Sequence, residues 1–477
     1  MTSEPMPLGR RSFLAQVGHG FAGLALADLF VRDGLAQTGE KAAPGVHPGK
    51  HHPARARRVI QLFMNGGVSQ MDTFDFKPEL QKRHGEKVDF GIAAAATSVP
   101  GAVMKSPFEF RQHGASGRWV SSVFPHMAEC VDDLTFLMAM ASKTNVHGPA
   151  SYLQNTGFTL PGFPCLGAWI SYGLGRLTDE LPTFVVLPDP RGLPYNNAGN
   201  FSSGFLPQSH AGTIIRPTLP IPISDLQAPP FAREVTPEAE ADGLELLRAL
   251  NRDHLEKNPG DSRLEARMES YELAAKLQLA APDVLDLSRE SEATHALYGT
   301  GDAVTGDFGR NCLTARRMIE RGVRFVQVWS GAGGPKDNWD NHTDIHNELP
   351  AIARRVDQPI AALIRDLKSR GLLEDTLLVW TTEFGRMPFT QGATGRDHNG
   401  GTFVSWLCGA GVKPGLAIGA SDEFSFKAAE RITWGYDLHA TLLHLLGIDH
   451  ERLTVRHNGI DRRVTDVHGH VLHEILA

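Results

Sequence analysis

Six short, nearly uninterrupted apolar runs punctuate the chain: residues 59–64 (VIQLFM), 134–141 (LTFLMAMA), 183–187, 323–329, 376–382 (TLLVWTT) and 403–407. Runs this short and this apolar predict strands buried on both faces, as in a parallel sheet. Helical spacing falls between them. Ile352, Val356, Ile360, Leu363, Ile364 and Leu367 recur on one face of a helix over 352–367. Pro359 predicts a kink in it, and Gly371 a stop after it. A second helix is predicted over 437–446 (DLHATLLHLL), stopped by Gly447. Strands alternating with helices predict an α/β fold, a mostly parallel sheet between helices. Residues 235–300 differ: they are polar, rich in Glu and Arg, and helical in pattern with a break at Asn258-Pro259-Gly260. They read as a helical insertion in a domain spanning 58–477, and residues 38–57, rich in Gly, Pro, His and Ala, read as a linker before it.

Composition narrows the class. The chain has 477 residues, 41% hydrophobic and 21% charged, enough for one large α/β domain or two ordinary ones. A net charge of −7 with no basic cluster argues against nucleic acid as a partner. The four cysteines, Cys130, Cys165, Cys312 and Cys408, are far apart and show no CxxC spacing. Buried free thiols are expected rather than a disulfide framework or a thiolate zinc site.

The first residues carry an address. Arg10-Arg11 is followed by an apolar stretch over 21–31, then Arg32-Asp33 and the small-residue segment Gly34-Leu35-Ala36. That order predicts a twin-arginine-type export signal over 1–37 and a periplasmic or extracellular location. Asp28 interrupts the apolar stretch, so no transmembrane span is expected in the mature chain.

In parallel α/β sheets, ligands gather at the carboxyl ends of strands. The first run here is followed by Asn65-Gly66-Gly67, Ser69, Asp72, Thr73 and Asp75, and the second by Ser142, Thr144, Asn145 and His147. Residues 338–342 (NWDNH), Glu383 to Arg386, and Arg396 to Gly400 follow later runs. Carboxylates mixed with imidazoles suit a divalent cation. Alternatives stay open at this point. Asp340 and His342 can cap a turn, and Glu383 can pair with Arg386. His398, in a glycine-rich segment read as a loop, is poorly suited to packing and points to a ligand. His439 and His444 lie in the apolar helix, where His444 reads as a core histidine. No HExxH, P-loop or GxSxG pattern occurs, and no GxGxxG follows a predicted strand.

The strings FMNGGVSQMDTFDFKP, TNVHGPASYLQNTG, NWDNH, TTEFGRMP, GRDHNGG and HNGIDRRVTDVHG resemble the DUF 1501 family of exported bacterial proteins, from about Arg58 to the C-terminus. The resemblance implies an alkaline-phosphatase- and sulfatase-like fold. It also implies metal-dependent hydrolysis of sulfate or phosphate esters, by a cation and a nucleophile at a helix start. The match is uneven. Asn65 stands where that superfamily has its first Asp, Phe384 where phosphatases have a His, and His147 where sulfatases have the nucleophilic Cys. The expected ligands of a zinc, calcium, magnesium or manganese ion are Asp72, Asp340, His342, Glu383 and His398. His147 is expected to act as nucleophile or ligand, and Arg386 or Arg396 to clamp an anion. An anionic glycan, an ester substrate or an exported protein partner is implied. The alternative is a non-catalytic metal-containing binding or scaffold protein on the same fold. Asp340, His342, Glu383 and His398 are expected to converge at one sheet edge, facing His147.

Overall fold

The computed structural model describes residues 49–92, 96–219, 222–223, 236–257, 281–334 and 336–477. The export signal expected over 1–37 lies outside the described residues. So does most of the segment read as a linker. Its last part, from Gly49, lies along the domain, with the Arg55 and Ala56 N–H groups donating to Leu445.

The apolar runs become the strands of one twisted sheet. They are β1 (Arg58–Met64), β2 (Leu134–Ala141), β3 (Phe184–Leu187), β4 (Thr213–Ile214), β5 (Phe325–Ser330) and β6 (Thr376–Thr381). A hairpin of β7 (Gly385–Gln391) and β8 (Gly395–Asn399) follows, then β9 (Phe403–Gly409), β10 (Ala417–Ile418) and β11 (Thr433–Trp434). The sheet order is β10-β2-β9-β6-β1-β5-β3-β4, with β11 also paired to β2. Every described pairing in it is parallel except those of β9, which runs against both neighbours. The fold is α/β with a mostly parallel sheet.

Strand alternation divides the core into two layers. Ile60, Leu62 and Met64 of β1 face one layer with Val326, Val328, Leu378 and Trp380. Helices α3 (Gly306–Glu320) and α4 (Ile345–Ser369) cover that layer. Val59 and Phe63 face the other, with Phe325, Trp329, Leu377 and Val379. It is covered by α2 (Leu166–Leu174) and α5 (Gly435–Leu445). Residues with a layer on each side have no exposed face, which explains the unbroken apolar runs. One polar ladder interrupts the second layer. Gln327 donates to Gln61, its register partner on β1, at 3.1 Å and to Asn155 at 2.7 Å. Asn155 belongs to α1 (His147–Thr156), the helix that begins the site.

Three expectations change. The helix predicted from Ile352 begins at Ile345 and runs unbroken past Pro359 to Ser369. Its apolar stripe packs on the sheet throughout, which outweighs the local proline penalty. The deeply buried histidine of α5 is His439 rather than His444. His439 bonds the Gln154 carbonyl, and burial pushes its pKa down to about 4. The segment around His398, read as a loop, is strand β8. Its polar residues hid it: Arg396 and Asp397 are buried through bonds to Asp72, Thr97 and Ser98, which no apolar pattern announces. Within 235–300, the described residues include helices Pro237–Lys257 and Glu292–Tyr298. All four cysteines are buried free thiols.

The carboxyl end of β1 is held tight against the segment after β5. Gly66 has φ +124°, and a Cβ there would lie 2.6 Å from the Trp339 nitrogen and 2.8 Å from that of Asp340. Gly66→Ala is expected to cost at least about 2 kcal/mol through strain and displacement of that segment. Urea unfolding against Gly301→Ala, where a Cβ meets nothing within 4 Å, checks this. Equal stability of the two variants would contradict the close approach.

Candidate metal centre

Three segments deliver imidazoles and a carboxylate to the carboxyl edge of the sheet. His147 opens α1, after β2. Asp340 and His342 lie between β5 and α4, and His398 stands on β8. Their ligand atoms all fall within 4.8 Å of one another, so the four residues form a group able to hold a metal ion. Donor atoms that share one cation stand roughly 3–4 Å apart, so the spacing suits a single site.

One oxygen is the hub. Asp340 Oδ1 lies 3.2 Å from His147 Nε2, 2.8 Å from His342 Nε2 and 3.0 Å from His398 Nε2. The opposite edges of the rings face outward to acceptors. His147 Nδ1 meets Glu383 Oε1 at 2.8 Å, His398 Nδ1 meets the Asn145 carbonyl at 2.8 Å, and His342 Nδ1 meets Gln391 Oε1. An acceptor at Nδ1 fixes the proton there and leaves the Nε2 lone pair pointing inward. Three such lone pairs then converge on a carboxylate, and two of them, on His342 and His398, stand 2.7 Å apart. Lone pairs at that distance repel unless a proton or a cation sits between them. His147 Nε2 is moreover buried with no hydrogen bond, since its approach to Asp340 lacks the alignment of one. A buried polar atom without a partner costs about 1–3 kcal/mol. Donor type, orientation and the unpartnered nitrogen all fit a divalent cation.

Electrostatics reinforce the arrangement. Burial alone would raise the pKa of Asp340. The Arg386 guanidinium, 2.6 Å from Oδ1, and the three imidazoles override it and hold the carboxyl well below the usual range. Burial lowers His147, but the carboxylates of Asp340 and Glu383 outweigh it and raise its pKa. Burial brings His398 down to about 4, so its ring is neutral at pH 7.

Of the expected ligands, Asp340, His342 and His398 meet with His147 beside them. Glu383 does not join that group. It grips His147 Nδ1 from outside and accepts from the Gly66 N–H at 2.8 Å. Asp72 is elsewhere: Arg396 holds it at 2.6 and 3.1 Å, with both side chains fully buried. The arginines expected to clamp an anion are both spent on the protein. Arg386 donates to Asp340, Gly66, Gly67, Trp339 and Arg396, and Arg396 to Asp72, Met387 and Met104. Sequence patterning shows that a charge follows a strand, not which opposite charge tertiary structure sets against it.

Other residues support the rings from outside. The Tyr195 ring lies nearly parallel to that of His147, with centroids 4.3 Å apart. Phe384 packs 4.8 Å from both His147 and His398. Gln391 and Asn145 act only through their outward contacts with the rings. Nothing in the sequence marks Tyr195 or Gln391, while Asn145 and Phe384 stand at strand ends without any sign of these contacts.

A family model described as "Protein of unknown function (DUF1501)" matches residues 56–476. No curated protein matches the chain. Among solved structures it is similar to the PsFucS1 sulfatase from Pseudoalteromonas sp., at 14% identity over 96% of this chain and 78% of that one, with TM-score 0.34. It is similar to the phosphonate monoester hydrolase of Agrobacterium radiobacter at 15% identity over 82% and 74%, with TM-score 0.31. A mutant of TAB5 alkaline phosphatase shares 10% identity over 81% and 97%, with TM-score 0.31. Overlaps this loose carry no weight for the chemistry, which rests on the cluster itself.

The Asp72–Arg396 pair gives a direct check on the two arginine roles. Arg396→Ala strands a buried carboxylate and is expected to cost about 3–5 kcal/mol of stability. Denaturant unfolding measures it. An Arg396→Ala protein of unchanged stability would mean that the guanidinium is free for other work.

Proposed function

The chain belongs to the DUF1501 family, and we propose that His147, Asp340, His342 and His398 hold one divalent cation in a hydrolase of sulfate or phosphate esters. One observation carries the reading: three imidazoles turn Nε2 toward a single carboxylate oxygen while each Nδ1 is engaged from outside. When bound, a cation there supplies Lewis-acid charge to an anionic ester and acidifies water. Zinc and manganese suit three imidazoles and one carboxylate better than calcium or magnesium, which take all-oxygen shells. The side chain of Asp340 is 10% exposed and that of His342 24%, so the cluster opens to solvent on the His342 side. A substrate anion has access there.

The geometry favours His147 as a ligand over His147 as a nucleophile. Its Nε2 faces the same oxygen as the other two rings, at nearly the same distance. Glu383 is then a positioning residue that keeps the proton on Nδ1. Export to the periplasm or beyond belongs to the same proposal, resting on the sequence of residues 1–37. Among the described residues no helix is long and apolar enough to cross a membrane.

A second reading has its own support. Arg386 already supplies a positive charge to Asp340, and neither arginine is available to an anion. A metal-containing binding or scaffold protein needs no anion clamp and no nucleophile. The two readings part at turnover: ester hydrolysis that requires metal supports the first, and metal-dependent stability without turnover the second.

Metal analysis of protein purified without chelator is expected to find close to one divalent ion per chain, and His398→Ala to abolish it. A chain that carries no metal and gains no stability from zinc or manganese would remove the basis of the proposal. Glu383→Gln is expected to keep the metal but weaken it about 10- to 100-fold, as loss of an outer partner does. Isothermal titration with zinc reads this, and unchanged affinity would deny Glu383 its positioning role. Binding should also weaken in acid, since a ligand imidazole must be neutral. In metal-free protein His147, with its raised pKa, takes its proton first as pH falls, and His398 only near about 4. Imidazole NMR titration checks the order.

A further inference from the structure

A cavity of about 440 Å³ lies against the outer side of the His398 strand. Asn145, whose carbonyl orients His398, lines it, as does Asn399, the next residue along β8. Gly400 permits this wall: a Cβ there would stand 3.0 Å from the Ser142 carbonyl oxygen and 3.1 Å from that of Thr144. The cavity is thus a neighbour of the cluster but is lined by none of its ligands.

Its lining is chemically one-sided. It contains two lysines, Lys143 and Lys427, and no Asp or Glu. Lys143 Nζ is placed by the Tyr436 hydroxyl and ring and by His468. Lys427 Nζ stands 5.0 Å over the Phe426 ring and pairs with no carboxylate among the described residues. Three polar groups on the Ser142 to Asn145 segment are unspent. The hydroxyls of Ser142 and Thr144 accept from backbone N–H groups and donate to nothing among the described residues. The Asn145 side-chain amide has no hydrogen bond there either. Ile432, 48% exposed, and Trp434 give the cavity an apolar wall.

We propose that this cavity binds an anionic sugar, with the negative group on Lys427 and Lys143, the ring hydroxyls on Ser142, Thr144 and Asn145, and the ring face against Trp434. Two ammonium groups without a carboxylate call for an anion. Unspent hydroxyl and amide donors beside an aromatic ring suit a body that is polar at its edge and apolar on its face. The inference shares its ligand class with the function proposed above but not its cation.

Glucose 6-sulfate, glucose 6-phosphate and glucose serve as probes, titrated by calorimetry into chelator-treated protein. Both charged sugars are expected to bind, with glucose at least about tenfold weaker, as loss of a charge-assisted contact implies. Lys427→Glu is expected to abolish the difference, and His342→Ala, which removes a cluster ligand that touches no residue of the cavity wall, to leave it intact. The sulfate binding as the phosphate does places the preference on charge, and a preference for one narrows the class to that ester. Equal binding of glucose and its charged esters would overturn the proposal. So would charged-sugar binding that survives Lys427→Glu and disappears in His342→Ala, since that places the anion on the cluster. Retained binding in His342→Ala upholds the cavity even where metal analysis has gone against the cation.

Discussion

Much of this structure is arranged around one carboxylate oxygen. Asp340 Oδ1 receives a guanidinium and faces three imidazole nitrogens. A carboxylate is tolerated in so buried a place only where it is fully compensated. The compensation comes from segments that are distant in sequence: the start of α1, the loop after β5, and both strands of the β7–β8 hairpin. Each is fixed in turn by its own contacts. Gly66 lets the chain after β1 close onto the Asp340 backbone, and Glu383, two residues before β7, reaches back to the Gly66 N–H and across to His147. The carboxyl edge of the sheet is therefore a set of mutually dependent loops.

The arginines show how charge is distributed there. Arg386 reaches backbone carbonyls from three separate segments as well as Asp340. A guanidinium has the five donors and flat geometry for this, and an ammonium does not. Arg396 performs the same service for Asp72. Two full ion pairs are thus invested in holding the hairpin and the segment after β1 in place. Charge that the sequence offers as ligand or clamp is consumed in building the frame.

The sheet was legible in the sequence because strands buried on both faces leave unbroken apolar runs, as in residues 59–64 and 134–141. The hairpin was not legible. Arg386, Arg396, Asp397 and His398 are buried, yet their partners are mainly polar groups from distant segments, and hydrophobic patterning registers only apolar burial. The site was legible in part for a different reason. Asp340, His342 and His147 each follow a strand of the sheet, whose topology carries strand ends to one edge, and His398 is brought there by the hairpin. Asp72 also follows a strand and went elsewhere, because its partner Arg396 stands 324 positions away and nothing local announces it. Tyr195 and Gln391 left no trace, since they act by lying beside a ring or bonding its far edge.

His398 and Arg386 face each other across the β7–β8 pair as register partners. One carries a donor nitrogen to Asp340 and the other carries its counter-charge. The two are therefore delivered or withdrawn by the same rigid element. Docking of the hairpin brings the imidazole and the guanidinium to the carboxylate together. A displaced hairpin would take a ligand nitrogen and the carboxylate's counter-charge away in one movement.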